Sequence, residues 1–127
     1  MKRFTILLFV LVVILSFGCS SLDSPFTVIK KFYNYAANGK INDAYNLITE
    51  DGKEMLKNYG GGSSAIAKLT DEIKSKGGIK DIKLIKEETV GDMSKVNFTI
   101  VYGNSTTKDD TEKLIKEKGK WHISVNK

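Results

Sequence analysis

The sequence predicts an α+β domain in which N-terminal helices pack on a curved, antiparallel, roughly four-stranded sheet. The first observation is a change of period, because apolar residues recur at helical spacing up to about Lys76 and alternate singly after Gly78. The second is turn chemistry: short turns containing glycine separate the alternating segments, and turns of this length join antiparallel strands. Helices first and strands second are typical of the α+β class.

The chain is short, and its composition limits what it can be. It has 127 residues, of which 41% are hydrophobic and 28% charged, so it holds one domain at most. A single cysteine excludes an internal disulfide framework, and a single histidine excludes a metal site built from several histidines. We therefore expect neither a metal nor a cofactor.

The first 18 residues have the three parts of a secretory signal. Lys2 and Arg3 precede an almost wholly apolar run over residues 4–17, and Gly18 provides a small residue before Cys19. A helix of 14 residues spans about 21 Å, whereas the hydrocarbon core of a bilayer is about 30 Å thick. A signal peptide is therefore a better interpretation than a permanent transmembrane helix.

The end of this signal, residues 15–19, resembles the lipobox of bacterial lipoproteins. The resemblance implies that the Cys19 thiol is acylated and that Cys19 becomes the N-terminus of an extracytoplasmic protein anchored to the bacterial cell membrane, with palmitate among the acyl chains. We then expect a lipoprotein signal peptide at 1–18, a lipidated tether at 19–24 and a roll domain at 25–127. The alternatives are an ordinary signal peptide with an incidental cysteine, or an uncleaved anchor.

Removal of residues 1–18 changes the charge of the chain. The formal net charge falls from +5 to +3, and the only arginine, Arg3, is lost with the signal. The remaining lysines are interleaved with acidic residues, and bidentate recognition of phosphates and guanine relies on arginine. The sequence therefore predicts a solvated surface of mixed charge and no nucleic-acid partner.

Local signals give approximate bounds for the elements. Ser24 and Pro25 are suited to open the first helix. A second helix is predicted over 42–48, with Ile48 buried, a further turn or two after Thr49, and another helix over 64–76. Strands are predicted over 79–89, up to Tyr102, over 106–117 and around 121–125, with Ile82 and Leu84 beginning the alternation in the first.

Two segments carry a resemblance to a known superfamily. Residues 28–33 with 39–45, and the closing residues 119–123, resemble the small bacterial lipoproteins of the nuclear transport factor 2-like superfamily, which have a cystatin-type roll. The chain is most similar to the group called domain of unknown function 4878, over roughly residues 25–126. This resemblance implies a curved sheet wrapped around the first helix, leaving a cone that sometimes holds a ligand.

Aromatic side chains are expected to face this cone. The alternation and the helical spacing direct a set of them inward, either as plain core or as a pocket for a small hydrophobic or amphipathic ligand. The possible pocket residues are Phe32, Tyr33, Phe98, Tyr102 and Trp121.

No catalytic constellation is evident, so no catalytic residue is assigned. His122 lies between Trp121 and Ile123 and should point away from the face that carries them. Adjacent acids such as Asp109 and Asp110 face opposite ways on a strand, so they do not converge. Isomerases of the superfamily place an acid beside a tyrosine in the cone, but the inward positions expected on the second and fourth strands carry no acid.

The sequence therefore favours a membrane-anchored, extracytoplasmic binding or interaction module that is not an enzyme. Its expected partners are the membrane, through the lipid on Cys19, and a small hydrophobic ligand or an envelope protein. One alternative is an enzyme of the same superfamily that acts on a small hydrophobic molecule, using Tyr33 or Tyr35 with an acid that the sequence does not place. Another is a structural envelope protein whose lysines contact anionic polymers.

Overall fold

The computed structural model describes residues 22–59 and 61–125. The expected signal peptide, Cys19 and the first part of the tether lie outside these residues. Four helices are followed by four strands, which confirms the predicted α+β order. The helices are α1 (Pro25–Ala37), α2 (Ile41–Tyr45), α3 (Glu50–Tyr59) and α4 (Ser64–Ser75). The strands are β1 (Ile79–Val90), β2 (Met93–Tyr102), β3 (Thr107–Glu117) and β4 (Lys120–Ser124). No helix within the described ranges is long and apolar enough to cross a membrane.

The four strands form one antiparallel sheet in the order β1-β2-β3-β4. Every second residue of β2 is buried on the face that the helices cover, as period-2 alternation requires. These residues are Val96, Phe98, Ile100 and Tyr102, and each is at most 2% exposed. The sheet therefore has one face in the core and one face in solvent.

Helix α1 provides the other half of the core. Its buried stripe consists of Val28, Ile29, Phe32, Tyr33 and Ala36, at the spacing of one helical face. Helix α4 is fastened to α1, since the Thr70 hydroxyl donates a hydrogen bond of 2.7 Å to the Ala36 carbonyl. The core and the apolar residues packed against it come from between Pro25 and Val125, so residues 19–127 contain this whole folding unit.

The second helix is shorter than predicted, and Ile48 is not part of it. Helix α2 ends at Tyr45, and Ile48 instead forms a parallel bridge with Ile123 of β4. Two backbone hydrogen bonds make this bridge, from the Thr49 N–H to the Ile123 carbonyl (2.9 Å) and from the Ile123 N–H to the Leu47 carbonyl (2.7 Å). Pairing with the outer edge of β4 satisfies backbone groups that would otherwise face solvent or continue the helix.

Strand β1 also departs from its predicted alternation. Ile82 is buried as expected, but Leu84 is 46% exposed. The pairing register with β2 shifts between Leu84 and Lys86, as it does at a β-bulge. From Lys83 to Val90 every residue is exposed, because β1 is an edge strand and this stretch of it lies outside the core.

The two ends of the roll differ in what they contain. At the entry end, defined by residues 22–24, 91–92 and 116–120, the chain enters α1 and two hairpin turns meet, with the Lys116 N–H bonded to the Asp92 carbonyl (2.8 Å). At the far end, defined by residues 76–78 and 103–106, the β2–β3 turn packs on the end of α4. A Cβ at Gly103 would lie 2.0 Å from the Gly77 carbonyl oxygen, so only glycine permits this approach.

Candidate functional site

Helix α1 is held in place at its first turn by two side chains. The Ser24 hydroxyl accepts a hydrogen bond from the Thr27 N–H (3.2 Å), and Pro25 occupies the first helical position, which confirms the predicted start. The Glu87 carboxylate on β1 accepts a hydrogen bond from the Phe26 N–H (3.0 Å). A negative charge at a helix N-terminus is stabilising, so Glu87 fixes the helix against the sheet.

The five predicted pocket residues are all buried, between 0% and 8% exposed. The ring centroids of Phe32 and Tyr33 lie 5.3 Å apart, and those of Tyr33 and Phe98 lie 5.6 Å apart. The Tyr102 ring is covered by the Lys76 ammonium at 4.6 Å. These four side chains pack within the core between α1 and the sheet. The fifth, Trp121, borders an open cleft.

This cleft lies between α1 and β4 and has a volume of about 280 Å³. Apolar side chains from the helix, the strand and the α2–α3 connection alternate around it with cationic ones. Its lining residues are Leu22, Asp23, Val28, Lys31, Tyr35, Leu47, Lys120, Trp121 and His122. Asp23 is paired with Lys31, whereas Lys120 has no acidic group within 4.0 Å among the described residues. The cleft can therefore accept an apolar group and hold an anionic group beside Lys120.

His122 lies at the rim of this cleft. It pairs with Ile115 across the β3–β4 ladder, while its neighbour Trp121 pairs with Lys116. Successive residues of a strand face opposite ways, which confirms that His122 points away from the face of Trp121. Its Nδ1 lies 2.9 Å from the Lys120 carbonyl oxygen, so the ring is held by its own strand.

Two acids do lie on the inner face of the sheet, contrary to the sequence interpretation. The β2–β3 register pairs Phe98 with Asp110 and Val96 with Glu112. Directly paired residues share a face, so both carboxyl groups project on the side covered by the helices, toward Tyr33. The expectation of an inner face without acids is therefore wrong, because it considered the second and fourth strands and omitted the third.

The surroundings of Glu112 change its chemistry. Burial, followed by the charge of Asp110, raises the pKa of Glu112 to about 7, while Lys108 and the Tyr33 hydroxyl favour the charged form. Burial also raises the pKa of Tyr33, as do the charges of Glu112 and Asp110. At neutral pH, Glu112 can therefore donate or accept a proton, while Tyr33 stays a neutral hydroxyl.

A turn in the sequence contained the information that places Glu112. The predicted bounds leave residues 103–105 as the loop, so Tyr102 pairs with Thr106, and the Tyr102 N–H does bond the Thr106 carbonyl (2.9 Å). Counting away from this loop pairs Val96 with Glu112. The third strand has few apolar residues, so its alternation alone gave no sign of which face lies inside. Among residues 22–59 and 61–125, no three His, Cys, Asp or Glu side chains are arranged to hold a metal ion.

Sequence and structure comparisons agree on the fold. The chain resembles in structure a protein from Campylobacter jejuni named as an NTF2-like transpeptidase, with a TM-score of 0.68 and 18% identity over 82% of this chain and 100% of that one. A SEC-C motif-containing protein from Rhodopseudomonas palustris gives a TM-score of 0.56 at 12% identity, over 80% of this chain and 76% of the other. At these identities the likeness concerns the fold alone.

No curated protein sequence matches the chain. One family does: the Domain of unknown function (DUF4878) matches residues 17–124, which is most of the sequence. The match covers every helix and strand described above. The chain therefore belongs to the DUF4878 family and has the nuclear transport factor 2-like fold that its sequence predicted.

Proposed function

We propose that this protein is an extracytoplasmic lipoprotein, held on the membrane by acyl chains at Cys19, whose roll binds a small amphipathic molecule without transforming it. The observation that carries the binding role is the α1–β4 cleft. Its volume of about 280 Å³ is near the lower limit of about 300 Å³ for small-molecule sites. Its apolar walls end at Lys120, so an anionic head with a short apolar tail suits it.

The anchor is supported by the position of the cysteine relative to the domain. Cys19 follows directly on the apolar run, and α1 begins six residues later at Pro25. Two or three acyl chains on one residue hold a protein stably on a bilayer, whereas one chain binds only marginally.

Labelling with a palmitate analogue tests the anchor. Cells that express the full chain should incorporate the label into the wild type and not into Cys19→Ala, because Cys19 is the only cysteine. The wild type should also lose residues 1–18, which mass spectrometry of the membrane fraction measures. Equal labelling of the two proteins would contradict the proposal.

Fluorescence of Trp121 tests the cleft, since Trp121 is the only tryptophan and borders it. We expect octanoate, titrated against residues 19–127, to change the emission saturably and to bind several-fold more tightly than 1-octanol. Lys120→Gln should remove this preference, because it deletes the unpaired cation, whereas Lys74→Gln on α4 should keep it. An emission that neither probe changes would refute a ligand site at the cleft.

A second candidate function is favoured by Glu112. A carboxyl group with a pKa of about 7, beside a buried tyrosine hydroxyl, is suited to proton transfer at neutral pH. The protein would then be an enzyme acting on a small hydrophobic molecule, with Glu112 as the acid that the sequence left unplaced. This candidate depends on the raised pKa, which the Glu112→Gln measurement in the Discussion tests.

A further inference from the structure

The entry end of the roll has an unusual surface. Three of its side chains are large, apolar and exposed: Leu22 by 58%, Val90 by 81% and Met93 by 62%. Beside them, the β3–β4 turn exposes Lys118 and Lys120, and neither has an acidic group within 4.0 Å in the described part of the chain. Exposed apolar groups next to lysines are typical of surfaces that lie at a membrane interface.

The far end has a different character. Its β2–β3 turn consists of Gly103, Asn104, Ser105 and Thr106, all exposed, and the structure shows no exposed large apolar residue among them. The apolar and cationic groups are thus concentrated where the chain enters the domain.

The length of chain outside the structure limits where this end can lie. Three peptide units separate Cys19 from Leu22, and an extended chain spans at most about 3.6 Å per residue, or about 11 Å in total. If Cys19 is anchored as proposed above, the entry end lies within about 11 Å of the lipid attachment. This is close to the screening length of about 8 Å at physiological ionic strength, so its lysines feel the surface charge of the bilayer.

We propose that the entry end docks on the anionic phospholipid surface of the membrane, with Lys118 and Lys120 at the headgroups and Leu22 at the boundary of the acyl chains. This inference rests on the proposed anchor. Residues 116–120 carry three lysines against one acid, Glu117, and the nearby Glu87 is occupied by the Phe26 N–H. Asp92 is the remaining acid of the hairpin turns.

A second copy of the chain is a poorer occupant of this surface. In a two-fold dimer the same patch would face itself, which would bring the lysines of the two β3–β4 turns together. Like charges in a contact oppose association. An anionic bilayer offers the complementary charge, and it is already beside this end if the anchor is present.

The only cysteine allows docking to be tested without relying on acylation in cells. Residues 19–127 are coupled through Cys19 to a maleimide phospholipid in vesicles that carry a nitroxide on the headgroups. Quenching of Trp121, which lies next to Lys120, then reports contact between the entry end and the bilayer. We expect quenching at least twofold stronger in vesicles with 30% phosphatidylglycerol than in pure phosphatidylcholine, and a loss of this difference in 0.5 M salt.

Two charge-matched variants complete the experiment. Lys118→Gln with Lys120→Gln should abolish the difference between the two kinds of vesicle. Lys74→Gln with Lys80→Gln, which removes two exposed lysines at the other end of the roll, should leave it unchanged. Equal quenching of the wild type in both vesicles, or equal loss in both double variants, would overturn docking. Because the coupling is chemical, that result is distinct from a failure of Cys19 acylation in the labelling experiment.

Discussion

Replacing Phe98 with alanine is expected to lower the free energy of unfolding by about 3–5 kcal/mol, the range for large aromatic side chains deleted from a core. Phe98 is 0% exposed and packs against Tyr33, so its loss leaves a cavity between α1 and the sheet. Total stabilities are about 5–15 kcal/mol, so the effect is a large part of the whole. Urea unfolding of residues 19–127, followed by Trp121 fluorescence, measures it.

Thr99 provides the matched control on the same strand. It faces the solvent side of the sheet, where its hydroxyl donates a hydrogen bond of 2.6 Å to Asp109. Thr99→Ala should cost about 1 kcal/mol or less, the usual net value of one hydrogen bond. Trp121→Ala should resemble Phe98→Ala, measured by circular dichroism. If Phe98→Ala and Thr99→Ala were equally mild, the assignment of the two faces would be wrong.

Replacing Glu112 with glutamine is expected to change how stability depends on pH. The pKa of this carboxyl is about 7 in the folded protein, above its ordinary value of 4.5. The folded state therefore binds more protons than the unfolded state between these two pH values, and its stability falls as pH rises through that interval. The shift corresponds to at most about 3 kcal/mol lost between pH 4.5 and pH 8.

Glutamine is a neutral replacement of nearly the same shape. Glu112→Gln should match the wild type at pH 4.5, where Glu112 is protonated, and exceed it in stability at pH 8 by up to that amount. Glu117→Gln, on the same strand, should keep the wild-type pH dependence. Urea unfolding at both pH values measures the difference. A Glu112→Gln profile parallel to that of the wild type would show that the carboxyl is not perturbed, and would remove the basis for proton transfer there.

The fold could be predicted because its signals are local. Helical spacing identified α1, Ser24 and Pro25 gave its start, and single alternation identified the inner residues of β2. The end of α2 could not be predicted in this way, since it depends on hydrogen bonds between Leu47, Thr49 and the distant Ile123. The exposure of Leu84 likewise depends on a register shift against β2, which no local pattern of β1 contains.

The site was less predictable than the fold. The five aromatic residues were placed on the inner face correctly, but the sequence could not show that four of them pack against their neighbours while Trp121 borders an open cleft. That difference depends on how close α1 lies to β4. Glu112 was missed because a charged residue is ordinarily placed in solvent, and only the pairing of β3 with β2 shows otherwise.

The bridge between Ile48 and Ile123 has a consequence for self-association. It covers part of the outer edge of β4, so β1 is the sheet edge with unpaired backbone groups along its length in the described chain. Open edges invite growth by strand addition, which becomes more frequent when molecules are concentrated in the plane of a membrane. Charged side chains recur along this edge: Lys80, Lys83, Lys86, Glu87 and Glu88. Such charges would have to be brought against those of a second β1, so the strand resists addition and the protein can be crowded without forming fibrils.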